Sequence, residues 1–595
     1  MKKGLYINHR KQKCGVYEFG KAIGNLLLTS KNYEFHYCEC DSFQEFKKFY
    51  KTFRPDIIIY NYTPITMSWL NNTQKIGIPL GFQIQAIHIG TIHEVYQQYA
   101  DNADNSMFDF HIAPDPTLLL KNPLVYKTGR LLPQKAKFVE NHDTIPTIGS
   151  FGFATPGKGF HKIINLVQEQ FDEAIIKFTI PFARYGDNDG IQAKQIADEC
   201  KKLINKKLIQ LQINHDYLNK EELLSFLSAN SINVFLYDDQ EDRGISSVTD
   251  WALAAGRPVA ISHSRLFRHL FHCKPSICIE QNSLKTILKN GTTPIQHLWD
   301  EFSPETVLWE YNRIIADAIQ LKSKTSILKR TLFRFYIKKI FQKLGIIKHQ
   351  KLQHNRWTKT NDQFSLNTNF IKAPEYTNID QPENAPVNRI LDNTARSQYK
   401  TTIDFLFTYF PELMSKKIPE ANIQQAFNLD TAVRFSKNFE NPNILAVGSF
   451  EDTAVEALKI LDYSIYDIDP IVNYDLQTFL NKPHVKSESF DVIISTSVIE
   501  HVKDDEQFIK DIAYLLKPGG YAILTCDYND QYKPGDDIPD VDYRFYTQKD
   551  LKERLMNVIP NCQLVGNPQW DCQNPDFFYL DKFNYTFASF VFQKK

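Results

Sequence analysis

The hydrophobic positions of this chain fall into short apolar runs that alternate with amphipathic segments. The runs at residues 5–7, 57–60 and 492–494 are too short for helices and are rich in β-branched or aromatic residues. Such runs are typical of strands buried on both faces of a parallel sheet. Between them, apolar residues recur at helical spacing, as they do over residues 163–167. Strands that alternate with helices in this way predict an α/β fold made of Rossmann-like domains.

The order of these elements divides the chain into four parts. Residues 1–140 and 141–320 each predict one Rossmann-like domain, and residues 394–595 predict a third. Residues 321–393 combine a basic amphipathic segment with an irregular linker rich in Asn, Thr, Gln and Pro. A length of 595 residues accommodates these parts, because a domain usually takes roughly 100 to 200 residues.

Composition and charge restrict the class of protein. A hydrophobic content of 43% and a charged content of 23% are those of a soluble globular protein, and a formal net charge of zero gives no reason to expect nucleic acid as a partner. The nine cysteines form no CxxC pair, which fits reduced thiols better than disulfides or structural zinc. We see no apolar run of signal-peptide or transmembrane length, so we expect a cytoplasmic protein.

The segment 322–359 holds 12 lysines and arginines and no acidic residue. Its apolar residues recur at near-helical spacing, so one hypothesis is a helix that lies on the inner face of a membrane as a peripheral contact. The alternative is a helix that crosses back over the preceding domain with its basic face in water. The pattern favours neither of the two.

A glycine-bearing loop follows the first predicted strand of the second domain. Gly157, Lys158 and Gly159 precede a helix, and such a loop offers a diphosphate bare amides, a helix dipole and one mobile cation. Further along the chain, Asp242 and Asp250 lie eight residues apart. Small or charged residues between these two carboxylates are Arg243, Gly244, Ser246 and Ser247.

Together these motifs resemble those of the retaining GT-B glycosyltransferases over roughly residues 1–320, although both acids of the E-x7-E motif are aspartate here. The resemblance implies that Asp250 binds the ribose of a nucleotide-sugar donor and that residues 244–247 face its sugar and phosphates. It also implies that Lys158 contacts the diphosphate. Many relatives carry an arginine where Phe153 stands, and Arg243 is our candidate for the missing charge.

The first domain carries fainter signals of the same family. Gly15 is similar to the glycine loop that faces the cleft between the two domains, and His93 takes a plausible acceptor-side position. A lone histidine in a loop is more often simply solvated. Gly15 is therefore expected to bind substrate, and His93 is the catalytic candidate of this half.

Two acidic clusters allow a different interpretation of the same half. The clusters at 187–189 and 238–239 resemble the DxD motif of metal-dependent GT-A enzymes, in which paired carboxylates hold a divalent ion. Polar surface loops produce such clusters often. We therefore expect no metal.

The C-terminal domain contains the most specific stretch of the chain, at residues 489–520. A buried strand leads to Glu500 and His501, an apolar helix with an acidic first turn follows, and Lys-Pro-Gly-Gly at 517–520 ends that helix before the next strand. This order resembles the second half of a class I S-adenosylmethionine-dependent methyltransferase. The resemblance spans roughly residues 395–595.

This second resemblance implies a cofactor site. Gly448 follows the first strand of the domain, and Ser449 and Glu451 stand where further glycines are usual. Asp469 is the first choice, and Asp467 the second, for the carboxylate that binds the ribose hydroxyls. Further cofactor contacts are expected from Asp475 (to the adenine), Ser497 and Glu500. Candidates for the base that removes a hydroxyl proton are His501 and Asp527.

Two transferase domains in one chain predict two steps on one product. The first half would move a sugar from a nucleotide sugar to a glycan or lipid-linked glycan, and the second would methylate a sugar hydroxyl, in surface polysaccharide biosynthesis. Two alternatives stay open: a methyltransferase for a protein or small metabolite, and a scaffold with one inactive domain. The donor sugar, the methylated position and the oligomeric state are left unassigned.

Overall fold

The structure is a computed structural model. It describes residues 1–10, 15–70, 84–93, 95–134, 145–182, 187, 189–241, 243–322, 374–380, 385–580 and 582–595. The predicted site residue Asp242 and nearly all of the basic segment 322–359 lie outside these ranges.

The first domain is a parallel sheet with helices on both faces. Its strands are β1 Lys2–Asn8, β2 Tyr33–Glu39, β3 Ile57–Tyr60, β4 Ile87–Thr91, β5 Phe110–Ala113 and β6 Val125–Lys127, in the order β2-β1-β3-β4-β5-β6. Its helices include Gly15–Leu27, Phe43–Phe53 and Gln97–Asn102. Along β1, Tyr6 packs into one core while Leu5 and Ile7 pack into another. This strand alternation explains why the run at 5–7 is apolar throughout.

The second domain repeats the same architecture. Its strands are β7 Thr147–Phe151, β8 Ala174–Thr179, β9 Ile209–Asn214, β10 Ile232–Phe235 and β11 Val259–Ile261, parallel in the order β11-β10-β7-β8-β9. Its helices are Phe160–Gln170, Ile191–Leu203, Lys220–Ser228, Val248–Ala254, Leu284–Asn290 and Gln296–Glu301. The carboxyl ends of β7 and β10 carry the predicted glycine loop and the segment around residue 244.

The helix at residues 304–322 returns from the second domain to the first. Val307, Tyr311 and Ile314 are completely buried in the core that also contains Tyr6 and Ile57. The first domain is therefore closed by a helix that lies at the end of the segment predicted as the second domain. Two Rossmann-like domains joined in this manner make a GT-B arrangement.

The third domain is a mixed sheet with strand order β13-β12-β14-β15-β18-β16. The strands are β12 Asn443–Val447, β13 Ser464–Ile468, β14 Phe490–Thr496, β15 Leu516–Tyr528, β16 Cys562–Leu564, β17 Phe577–Tyr579 and β18 Phe583–Lys594. The helices are Asn393–Gln398, Lys400–Tyr409, Pro411–Ser415, Asn422–Ser436, Thr453–Ile460, Leu476–Leu480, Asp505–Leu515 and Leu555–Asn557. β18 runs antiparallel to β15 and to β16. The α/β fold class predicted from the sequence is confirmed.

The Lys-Pro-Gly-Gly segment, predicted to separate the helix Asp505–Leu515 from the next strand, is itself part of that strand. That strand begins at Leu516 and includes the Lys-Pro-Gly-Gly segment. The pairing register with β14 shifts between Phe490 and Val492, opposite residues 516 and 521. The segment is therefore a bulge inside the strand, and Gly519 accommodates it with a φ of 80°.

The third domain packs on the other two through polar contacts. Tyr474 OH donates to Glu310 Oε1 over 2.9 Å, and Lys274 forms an ion pair with Asp462. The described part of the predicted linker, residues 374–380, lies against the third domain, where Ile379 N donates to Asp430 Oδ1. Among the described residues, every helix is too short or too polar to cross a membrane.

Candidate active sites

The glycine loop after β7 ends at a helix N-terminus. Gly157 and Gly159 have φ values of 84° and 67°, and a Cβ added at Gly159 would lie 1.9 Å from Leu236 O. Gly159 directly precedes the helix Phe160–Gln170. Only glycine fits there, so the loop brings its backbone close to the carboxyl end of β10.

Lys158 lies beside other positive charge. Its Nζ lies 3.9 Å from the centre of the Tyr237 ring. Burial, with a smaller contribution from the Arg243 cation, lowers the pKa of Lys158 to about 8. Two cations and the positive end of an 11-residue helix thus converge on one place. Such a site favours an anionic ligand. Arg243 can provide the positive charge that is missing at position 153, where the chain has Phe153.

Asp250 faces the first domain across the cleft. It lies in the first turn of the helix Val248–Ala254, and Arg130 binds it with Nε at 3.2 Å and Nη2 at 2.5 Å. Both side chains are buried. Burial raises the pKa of Asp250, and the neighbouring guanidinium opposes this shift. The predicted ribose ligand is therefore also one half of an ion pair between the two domains.

The remaining predicted donor contacts lie in the loop before that helix. Gly244 and Ser246 are partly buried, and Ser247 is exposed directly before the helix. Ser246 N donates to Leu266 O, and Ser246 O accepts from the Thr249 hydroxyl, so the loop is held at both sides. Gly15 starts the helix Gly15–Leu27, and none of the described residues would lie within 4 Å of a Cβ added there.

His93 is held in one orientation by Asn61. Asn61 Nδ2 donates to Asn8 Oδ1 and to Val16 O, so Asn61 Oδ1 faces His93 Nε2 at 2.6 Å. Burial, and secondarily the Arg130 cation, lower the pKa of His93 to about 3. The imidazole is neutral, Nε2 carries its proton, and Nδ1 is left as an acceptor.

Acids of the two clusters that suggested a metal form hydrogen bonds and ion pairs with the protein itself. Asp187 accepts from Gln192 N and Ala193 N at the start of the helix Ile191–Leu203. Asp238 pairs with Lys162 at 2.5 Å. Asp239 accepts from Arg265 N and Nε. These contacts engage Asp187, Asp238 and Asp239 with groups of the protein itself.

The loop after β12 approaches the loop after β14 very closely. Gly448 has a φ of 80°, and a Cβ there would lie 2.3 Å from Val498 Cγ2. Glu451 takes a left-handed φ of 56°, and its Oε1 lies 3.5 Å from Lys416 Nζ. Glu451 thus adopts a glycine-like conformation. This fits its place in a loop where related domains usually have glycine.

The three candidate aspartates after β12 differ in what they contact. Asp469 lies just past the end of β13, where its carboxylate accepts from Ile471 N at 2.7 Å and Phe450 N at 3.3 Å. Asp467 instead pairs with Lys459 at 3.1 Å. Asp475 caps the helix Leu476–Leu480. Of the three, Asp469 contacts the loop after β12, through Phe450 N.

A set of buried polar side chains lies beside these loops, and most of them were missed from the sequence. Those that were missed come from the helix Asn422–Ser436, which is buried on nearly all sides. Asn428 Nδ2 donates to Thr496 Oγ1 at 2.7 Å, and Gln424 Nε2 lies 3.4 Å from Ser497 Oγ. Within the described part of the chain, five buried polar atoms here find no hydrogen-bond partner: Asn422 Oδ1, Gln424 Oε1, Asn428 Oδ1, Ser449 Oγ and Glu500 Oε2.

Because natural proteins rarely leave buried polar groups unpaired, these atoms mark the space between the loops as our candidate binding pocket. A ligand with several donors and acceptors, such as the amino acid and ribose parts of S-adenosylmethionine, fits this set. The sequence signal was a helix with Asn, Gln and Asp at positions that a core helix would give to apolar residues.

The far end of the pocket is acidic. Glu500 is fully buried, and Ser497 Oγ donates to its Oε1 at 2.6 Å. Burial raises the pKa of Glu500 to about 7. Burial, and then the charges of Glu500 and Asp542, raise the pKa of Asp527. His501 Nδ1 lies 2.9 Å from Asp542 Oδ1, and mainly this contact raises the pKa of His501 to about 9.

Comparisons with known proteins match both halves. Residues 421–558 match the family model described as Methyltransferase domain. An 85-residue segment is 39% identical to ubiquinone biosynthesis O-methyltransferase of Rickettsia typhi, and it makes up 14% of this chain and 34% of that protein. The match therefore spans about a third of the curated relative.

Three solved structures are similar to parts of the chain. Anabaena HepE in complex with UDP is 13% identical with a TM-score of 0.37, over 54% of this chain and 100% of that one. Sucrose-phosphate synthase of Thermosynechococcus elongatus is 13% identical with a TM-score of 0.36, over 56% and 100%. The arsenic(III) S-adenosylmethionine methyltransferase of Chlamydomonas reinhardtii is 15% identical with a TM-score of 0.21, over 26% and 64%.

Proposed function

From a chain that joins a GT-B pair of Rossmann-like domains to a C-terminal methyltransferase domain, we propose a bifunctional, cytoplasmic, glycan-modifying enzyme. Its first half transfers a sugar from a nucleotide sugar to a glycan or lipid-linked glycan. Its second half methylates a hydroxyl of that glycan with S-adenosylmethionine. The pathway is the biosynthesis of a surface polysaccharide.

The first half supports this proposal through its anion site. Lys158, Arg243 and the N-terminus of the helix Phe160–Gln170 can neutralise a diphosphate leaving group without a metal ion. Asp187 is engaged at the start of a helix, and Asp238 and Asp239 are engaged in ion pairs. We infer a metal-independent transfer with retention, in which Asp250 binds the donor ribose while Arg130 keeps its carboxylate in place.

The second half supports the proposal through its pocket of unpaired polar atoms, and this is the observation that carries it. Asp469 and the residues around Gly448 would hold the ribose and methionine parts of the cofactor. When bound, S-adenosylmethionine supplies an electrophilic methyl group. The chain's own task is to align the acceptor oxygen with that group and to remove its proton.

Three groups compete for the role of the base. At neutral pH, His501 is protonated because the contact with Asp542 raises its pKa to about 9, and burial raises the pKa of Asp527. Glu500 has a pKa of about 7 and is closest to the operating pH. We nevertheless propose His501 as the base, because Asp542 holds its Nδ1 at 2.9 Å and leaves Nε2 for the acceptor, and Glu500 is the alternative. His501 accepts the hydroxyl proton only in its neutral form, so the ring first loses its own proton to solvent, and the acceptor hydroxyl then gives its proton to the free ring nitrogen as the methyl group is transferred.

The test is to run both reactions on the full chain. Nucleotide sugars are screened with oligosaccharide acceptors in the presence of EDTA, and products are followed by mass spectrometry before and after S-adenosylmethionine is added. The proposal expects a sugar-sized mass gain and then a methyl-sized gain on the same product. Glycosyl transfer that requires added Mn²⁺ would contradict the metal-independent mechanism. Methylation of proteins or small metabolites alone would contradict the glycan assignment.

A further inference from the structure

A cluster of metal-ligand side chains lies in the second domain, away from both sites described above. His297 and Glu301 belong to the helix Gln296–Glu301, and their spacing of four residues places them on the same face. His272 comes from the turn that follows the 3-10 helix Arg265–Leu270. One ligand atom from each of the three residues lies within 4.8 Å of those of the others.

The two imidazoles converge as they do around a shared ion. His272 Nε2 and His297 Nε2 are 3.1 Å apart, and the ring planes are inclined by 65°. Two histidines on a tetrahedral zinc ion, at about 2.0–2.1 Å each, hold their nitrogens about 3.3 Å apart. The observed separation therefore needs only a small adjustment.

We propose that His272, His297 and Glu301 bind a divalent ion of the zinc class. Two imidazole nitrogens and one carboxylate form a donor set that suits Zn²⁺, whereas Mg²⁺ and Ca²⁺ prefer oxygen ligands alone. Both histidines are exposed, so an ion can reach them from solvent. Three protein ligands leave one position of a tetrahedral ion for water or another ligand.

The site lies at the boundary with the methyltransferase domain. His272 and Glu301 line a cavity of about 390 Å³, together with Lys459 and Asp467 of the third domain. Two residues after His272, Lys274 forms its ion pair with Asp462 of that domain. A bound ion would therefore hold the turn at His272, which lies next to this contact with the third domain, against the helix Gln296–Glu301. The site is separate from both proposed reactions and does not depend on them.

The test measures Zn²⁺ binding directly. The full chain is stripped of metal and titrated with Zn²⁺ in competition with a chromophoric chelator. The variants are His272→Ala, His297→Ala and Glu301→Gln, and His161→Ala is the matched control because His161 is an exposed histidine of the same domain outside the cluster. We expect one tight Zn²⁺ per wild-type and control chain, and a loss of roughly tenfold or more in affinity for each cluster variant.

Two further readouts keep the test decisive. Co²⁺ bound to the wild-type chain should give the intense visible absorption of a tetrahedral ion, and the cluster variants should lose it. Zn²⁺ should raise the melting temperature of wild type and control only. The proposal is overturned if wild type binds no tight Zn²⁺, or if all variants bind it equally. Glu301→Gln retains the side-chain shape, so it decides the question if a histidine variant fails to fold.

Discussion

The affinity of the first half for a nucleoside diphosphate should fall as pH rises through about 8. The cause is Lys158, whose pKa in the free protein is lowered to about 8 by burial and by Arg243. A bound diphosphate favours the charged ammonium and returns its pKa towards the ordinary value of about 10.4. Above pH 8, binding of the diphosphate therefore requires Lys158 to take up a proton. The lysine is about 90% protonated at pH 7 and about 10% at pH 9, so affinity should drop about tenfold between them.

The assay is calorimetric titration of the full chain with a nucleoside diphosphate, such as UDP or GDP, at several pH values. The matched control is Lys158→Arg, because a guanidinium stays protonated over this range and should flatten the pH dependence. Lys158→Ala should lower affinity by ten- to a hundredfold at pH 7, as expected when a charged hydrogen bond of roughly 1.5–3 kcal/mol is lost. An equal pH dependence in wild type and Lys158→Arg would refute the assignment.

Three further predictions follow from the ion pairs and carboxylates of the two sites. Asp250→Ala should abolish glycosyl transfer and spare methyl transfer. It also leaves buried Arg130 without its carboxylate partner, which costs about 3–5 kcal/mol of stability. Turnover is therefore measured below the lowered melting temperature. Asp469→Ala should weaken S-adenosylmethionine binding about ten- to a hundredfold in a calorimetric titration. Asp467→Ala should do much less, because Asp467 is paired with Lys459 instead. If His501 is the base, the methyl-transfer rate should rise tenfold per pH unit up to about 9 and level off there.

Each of these predictions has a result that contradicts it. Full glycosyl transfer by folded Asp250→Ala would mean that the donor binds elsewhere. Equal, small effects of the Asp469 and Asp467 variants would show that neither carboxylate reads the ribose. A methyl-transfer rate that levels off near pH 7 would shift the base role to Glu500, whose pKa lies there. His501→Gln is the control for that profile, since it keeps the size of the side chain and cannot titrate.

The strands could be predicted because their burial is written in consecutive apolar residues. The run Val492-Ile493-Ile494 belongs to a central strand, and its residues pack alternately into two cores. A strand covered on both faces needs an apolar residue at every position, and this produces the continuous apolar run. The glycine loop at 157–159 was also visible, because its positive φ values demand glycine. Local signals of this kind were enough to predict the fold class and the position of the glycine loop.

The features that the sequence concealed depend on contacts between distant residues. Arg130 pairs with Asp250 although 120 positions separate them, and nothing near Arg130 marks it. Asn428 and Gln424 face a pocket from a helix that shows almost no amphipathic period. Periodicity reports burial against apolar neighbours, so a helix buried against a polar pocket gives no such signal.

The measurement that most directly tests the central claim is a pair of calorimetric titrations on the same full chain. S-adenosylhomocysteine and a nucleoside diphosphate are each titrated into wild type, Asn428→Leu and Lys158→Ala. Two independent sites predict that wild type binds one molecule of each ligand. Asn428→Leu, which removes a polar group of the pocket, should lose only S-adenosylhomocysteine, and Lys158→Ala should lose only the diphosphate. Failure of wild type to bind either ligand, or loss of both ligands in one folded variant, would contradict the account.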